Sequence, residues 1–197
     1  MNPRRRVLVP VLAASLAAGV IALPAQADPA QRTVSPVTLF MSNTVVPDAW
    51  AALVRTDTGI AATLHTSGLA PGSAATLWWV VFNNPAYCAP GPVGPECGGD
   101  DLDNPLVQAS VQFASGHVIG GEGRAHYGAY LSEGDTSGCA AAFLPCSGLI
   151  DSRTAVVHLI VRSHGQALPG AIDEQIGSFN GGCNPTCMNV QAAVFEP

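Results

Sequence analysis

Apolar and polar residues alternate with a period of two along much of this chain. From 60 to 66, Ile60, Ala62 and Leu64 alternate with Ala61, Thr63 and His65, which predicts a strand with the first set toward the core and His65 outward. The preceding run Ala51–Thr56 and the triplet Asp57-Thr58-Gly59 complete a predicted β-hairpin. From 124 to 131, Ala125, Tyr127, Ala129 and Leu131 share one face, and Arg124, His126, Gly128 and Tyr130 the other. The run Thr76–Phe82 (TLWWVVF) is apolar on both faces and predicts a central, doubly covered strand. Further strands are expected at 37–41, 106–114, 117–119, 155–162 and 189–195, with 28–36 a loose lead-in holding Pro29 and Pro36. No segment carries a helical apolar period. About eight short strands joined by turn-rich loops predict an all-β fold: a single β-sandwich with Greek-key, immunoglobulin-like connections. The longest loops, 83–105 and 132–154, are the expected recognition surfaces, because a rigid sandwich displays its variable contacts there.

The first 27 residues change the setting. Arg4-Arg5-Arg6, an apolar run from Val7 to Leu23 and Ala25-Gln26-Ala27 form a signal peptide, with cleavage expected after Ala27. The apolar run is short for a bilayer span and Pro10 interrupts it, so no membrane span is expected after cleavage. Residues 28–197 then form one exported domain. That domain holds five arginines, no lysine and all fourteen acidic residues, a formal charge of −9. Nucleic acid and anionic membranes need clustered cations, so neither is an expected partner. An unidentified protein or small ligand is expected instead.

Six cysteines fall in three neighbouring pairs: Cys88 with Cys97, Cys139 with Cys146, and Cys183 with Cys187. An even number in an exported chain predicts disulfides, and each pair brackets a loop rich in Gly, Pro or Ser. The bridges are expected to pin loops rather than hold the core. A zinc site built on Cys183 and Cys187 is the competing reading.

Candidate chemistry is sparse. In 156–165 (VVHLIVRSHG), His158, Ile160, Arg162 and His164 share a strand face. The two histidines stand six residues apart, about 20 Å along an extended strand, too far for one ion. One of them could join His65, His117 or His126 from a neighbouring strand to bind a copper or zinc ion. Asp100, Asp101 and Asp103 offer oxygens to calcium without the order of an EF-hand. Asp57-Thr58-Gly59 has no second copy to make an aspartic-protease pair and reads as a turn. No nucleophile elbow, zincin motif or phosphate loop is present, so no catalytic residue is assigned.

Ser67-Gly68-Leu69 and the segment Val157–Ser163, followed by Pro169-Gly170, Ile172, Gln175 and Ile176, resemble the CHRD domain. The overall pattern also resembles small exported bacterial proteins of unknown function. The resemblance implies an extracellular β-sandwich without enzymatic activity, with 172–176 as a strand. This chain departs from it at Leu77-Trp78-Trp79, where that family has His-Ile-His, and at Arg162, where it has a histidine. The expected function is therefore a secreted, non-enzymatic binding module. The alternatives are a copper- or zinc-binding protein using histidines of the sheet, and a secreted hydrolase.

Overall fold

The computed structural model describes residues 28–91, 94–140 and 144–197; the signal peptide expected at 1–27 lies outside them. The strands are β1 (Gln31–Leu39), β2 (Val45–Thr56), β3 (Gly59–Thr66), β4 (Ser73–Phe82), β5 (Pro90–Gly91), β6 (Gly94–Pro95), β7 (Ala109–Val118), β8 (Ala125–Ser132), β9 (Val156–Gln166) and β10 (Met188–Phe195). One short helix, α1 (Ile172–Gly177), precedes β10. Eight strands make one antiparallel sheet in the order β7-β4-β9-β10-β1-β2-β3-β8, while β5 and β6 pair only with each other. The sheet curls until its two edge strands meet. The ring of His117 on β7 stacks on Tyr127 of β8, with centroids 4.5 Å apart.

Curling brings the two halves of the sheet onto a common core. Leu53, Ile60 and Leu64 from β2 and β3 share one buried cluster with Leu77, Trp79, Leu159 and Val161 from β4 and β9. The alternation at 60–66 and 125–131 is observed as expected, with Ile60, Leu64, Tyr127 and Leu131 buried. The expected double burial of β4 is also observed. Its outward residue Phe82 is covered by Cys88 and Cys97 of the 83–105 loop and by Val107 just after it. Trp78 is covered by Phe113 and Phe179, which meet its ring edge-on at 5.5 and 5.0 Å. At about 25 cal/mol per Å² over about 200 Å² of ring, each buried tryptophan contributes roughly 5 kcal/mol before entropy.

The three disulfides are the local ones: Cys88–Cys97, Cys139–Cys146 and Cys183–Cys187, with no free cysteine among the described residues. The 132–154 loop does not stand free. It pairs with the open edge of β7, where the Val111 N–H donates to Pro145 O at 2.9 Å and the Phe113 N–H to Gly138 O at 2.7 Å. An edge strand covered in this way cannot template pairing with another chain.

Several boundaries differ from the sequence expectation. The lead-in is ordered as β1, because Gln31 to Pro36 pair with Arg55 to Trp50 of β2. Pro36 is accommodated at a bulge, where its missing N–H is harmless. Residues 106–108 precede β7 rather than belong to it, and 117–118 end β7 rather than begin a new strand. Residues 172–177 form a helix where the CHRD resemblance implies a strand. Gln175 explains the helix's place: it is fully buried, its amide nitrogen donating to Gln166 O and Gly182 O and its oxygen accepting from the Leu168 N–H.

One end of the sheet is closed by Arg55, whose buried guanidinium donates to the carbonyls of Ser152, Ala155 and Glu196 at 2.6, 2.9 and 3.1 Å. Burial lowers its pKa, opposed by the nearby Glu196 and Asp151 charges. Arg153, ion-paired with Asp57 at 2.7 Å, ties the same end to the start of the described chain through Asp28 O and Pro29 O.

Candidate functional sites at the open end

The opposite end is where β1, β3 and β9 finish and β2, β4 and β10 begin. A cleft of about 510 Å³ opens there, lined by the β1–β2 turn (Leu39, Phe40, Met41, Ser42), by Gly68–Ala70, and by Met188–Gln191 at the start of β10. No charged side chain lines it. Phe40, Met41 and Met188 stay exposed at its rim, Met41 at 89%. Met41 and Met188 are the only methionines beyond Met1. Their flexible thioethers suit an adaptable apolar surface.

A second constellation lies on the outer face of β2, β3 and β8 at the same end. The β2–β3 register sets Trp50 opposite His65, and the β3–β8 register sets His65 opposite His126. The Trp50 and His65 rings stack at 4.2 Å with planes 23° apart. The His65 and His126 rings meet edge to face at 4.4 Å, and their two Nδ1 atoms are in direct contact. Desolvation, and then the neighbouring His126, lower the His65 pKa. The same two causes lower that of His117, across the gap between β7 and β8. Of the four sequence-predicted histidines, the fold brings together only this pair.

His164 is fully buried, not displayed on the sheet. A chain of hydrogen bonds fixes its tautomer. The Trp78 indole N–H donates to Thr76 Oγ1 at 2.7 Å, the Thr76 hydroxyl donates to His164 Nε2 at 3.1 Å, and His164 Nδ1–H donates to Gly181 O at 2.9 Å. An indole nitrogen only donates and a carbonyl only accepts, so the direction of the chain follows. Burial lowers the His164 pKa, opposed by the Gly181 bond and aided by the Arg162 charge. The ligand atoms of His164, Cys183 and Cys187 lie within 4.8 Å of one another, a metal-like grouping. As they stand, the sulfurs are joined to each other and both ring nitrogens are engaged, so the group works as a structural clasp.

His158 sits half-buried on the outer face of β9, edge-on to Phe82 at 5.0 Å. It lines a crevice with Gly98, Gly99, Glu96 and Glu196. Burial pushes its pKa down to about 4. Asp101 is buried too, its Oδ1 accepting from the Ala89 N–H and its Oδ2 from the Gly98 N–H, both at 2.8 Å. Asp100 and Asp103 remain exposed. The Asp101 carboxylate therefore braces the 83–105 loop from within.

Sequence reasoning missed Trp50 and the methionine rim. Trp50 was legible in principle, since a turn at 57–58 places it opposite His65. The rim depends on the contact of β1 with β10, strands about 150 residues apart, and had no local signal.

No protein-family model matches the chain, and no characterised protein or solved structure shows significant similarity to it. Among the described residues, no helix is long and apolar enough to cross a membrane.

Proposed function

We propose that this chain is an exported, non-enzymatic binding module that holds a small, uncharged, largely apolar ligand in the cleft at the open end. The observation that carries this reading is the lining: about 510 Å³, within the range of small-molecule sites, with no ionisable side chain and two methionines and a phenylalanine at its mouth. The long loops 83–105 and 132–154 are spent covering Phe82 and the β7 edge, which moves recognition from them to the cleft. Three disulfides support export to an oxidising compartment. We read the curled sheet as a sandwich with Greek-key connections, because its two halves share one core and β9 and β10 insert between β4 and β1. The CHRD likeness supports the same extracellular, non-catalytic reading.

Titration with Nile red, a neutral apolar dye, tests the proposal. The expected result is a saturable rise in emission that Met41→Glu and Met188→Glu each weaken tenfold or more. Both residues are exposed, at 89% and 56%, so neither substitution disturbs the core. No saturable binding, or binding indifferent to both substitutions, would remove the cleft from consideration.

A further inference from the structure

We propose that His65 and His126 form a two-imidazole site for a divalent late transition ion, copper(II) foremost. The site lies on the outer face of the sheet and does not depend on the apolar cleft.

The argument starts from register. His65 and His126 are direct cross-strand partners, each bonded into a ladder of eight residue pairs, so their Cα atoms are fixed by backbone rather than by loop conformation. Both side chains leave the same face and turn Nδ1 toward Nδ1. Two neutral imidazoles in that arrangement cannot both present a lone pair to each other; one must carry a proton on Nδ1 to bond the other. An ion changes this. Moving that proton to Nε2 leaves two Nδ1 lone pairs converging on one point, with no net proton loss from the neutral pair. Ligand bonds of about 2 Å require the nitrogens to part to roughly 3 Å, a small rotation for His126, whose side chain is exposed. Imidazole suits copper, nickel and zinc, and copper(II) binds most tightly in the divalent series.

Two surroundings favour a cation here. The residues from 28 onward carry a formal charge of −9, a field that concentrates cations. The stacked Trp50 ring fixes the plane of His65, which lowers the ordering cost of coordination. The remaining positions of the ion face water.

Trp50 supplies the readout. It is the exposed tryptophan, at 38%, while Trp78 and Trp79 are buried, and a bound copper(II) ion beside it quenches its emission. Tag-free protein beginning at Asp28 is titrated with copper(II) at neutral pH, by fluorescence and by calorimetry. The expected result is one equivalent bound, with His65→Gln and His126→Gln each weakening affinity tenfold or more. Trp50→Phe keeps the calorimetric affinity and loses most of the quenching, and His158→Gln changes neither. Circular dichroism verifies that the variants fold, and paramagnetic broadening of the His65 and His126 ring resonances in the unsubstituted protein tests the ligands without any substitution. Failure to bind one equivalent, affinity unchanged in either histidine variant, or broadening confined to other residues overturns the proposal.

Discussion

Lowering the pH should weaken this fold through His158, and the size of the effect follows from its position. The ring lies against Phe82 in a crevice that Gly98 and Gly99 also line, and burial pushes its pKa from 6.5 down to about 4. In the unfolded chain the same ring protonates near 6.5. Between these values the unfolded state binds a proton that the native state refuses, so stability falls as pH falls. The contribution is intact above about pH 6.5, declines through the window, and is fully lost below about pH 4. At about 1.4 kcal/mol for each tenfold change in proton affinity, the loss is bounded at about 3.5 kcal/mol; partial exposure of the ring makes this an upper limit. His158→Phe keeps an aromatic edge against Phe82 and removes the titration. Urea unfolding of both proteins at pH 7 and pH 4 gives four free energies, and the quantity of interest is the difference of the two pH effects. Glu96 and Glu196 line the same crevice in both proteins, so their contributions largely cancel. His158→Phe should lose about 2–3 kcal/mol less than the parent on acidification. An equal loss in both proteins, or a His158 ring resonance titrating near 6.5, would refute the reasoning.

Two further substitutions probe the clasp around His164. Thr76→Val keeps the shape but strands the Trp78 indole N–H and His164 Nε2 in the interior, and should cost about 2–4 kcal/mol in urea unfolding at unchanged slope, with Thr76→Ser restoring most of it. Gly165→Ala should be destabilising by about 2 kcal/mol or more: φ is +79° there, and an added Cβ would fall 1.7 Å from Asn184 O. Its signature is a lower melting temperature together with faster proteolysis within 178–187, since the Asn184 N–H to His164 O bond must break. A melting temperature unchanged by Gly165→Ala would mean that the 180s loop is not held as described.

The local pattern carried the strands whose two faces differ, and little else. Ile60, Leu64, Tyr127 and Leu131 announce their faces because water lies on one side and the core on the other. The cysteine pairs were legible for the same reason: each is close in sequence and closes its own loop. β1 was hidden because Pro29 and Pro36 read as a broken lead-in, whereas a bulge absorbs Pro36 once β2 supplies a partner. α1 was hidden because six residues cannot display a helical period; tertiary bonds through Gln175 hold it in place. His164 has the alternation of a surface residue, but Thr76 and the 178–187 loop cover it, and nothing near it in sequence says so. The meeting of His65 with His126 needed the pairing of β3 with β8, across more than fifty intervening residues.

The distribution of cations ties the open end to its chemistry. Of the five arginines beyond residue 27, Arg55 is buried on backbone carbonyls, Arg153 is paired with Asp57, and Arg162 is bound to Phe179 O, Asn189 and Asn180 while lying 4.3 Å from the Phe179 ring. Only Arg32 and Arg124 remain exposed against a surface rich in carboxylates. Such a surface repels anions at long range, so a ligand reaching the cleft between Met41 and Met188 does best uncharged, and an ion reaching His65 and His126 does best as a cation. The arginines have been drawn inward to hold loops and termini at fixed points. What they leave outside is an apolar mouth and a pair of imidazoles at the same end of the sheet.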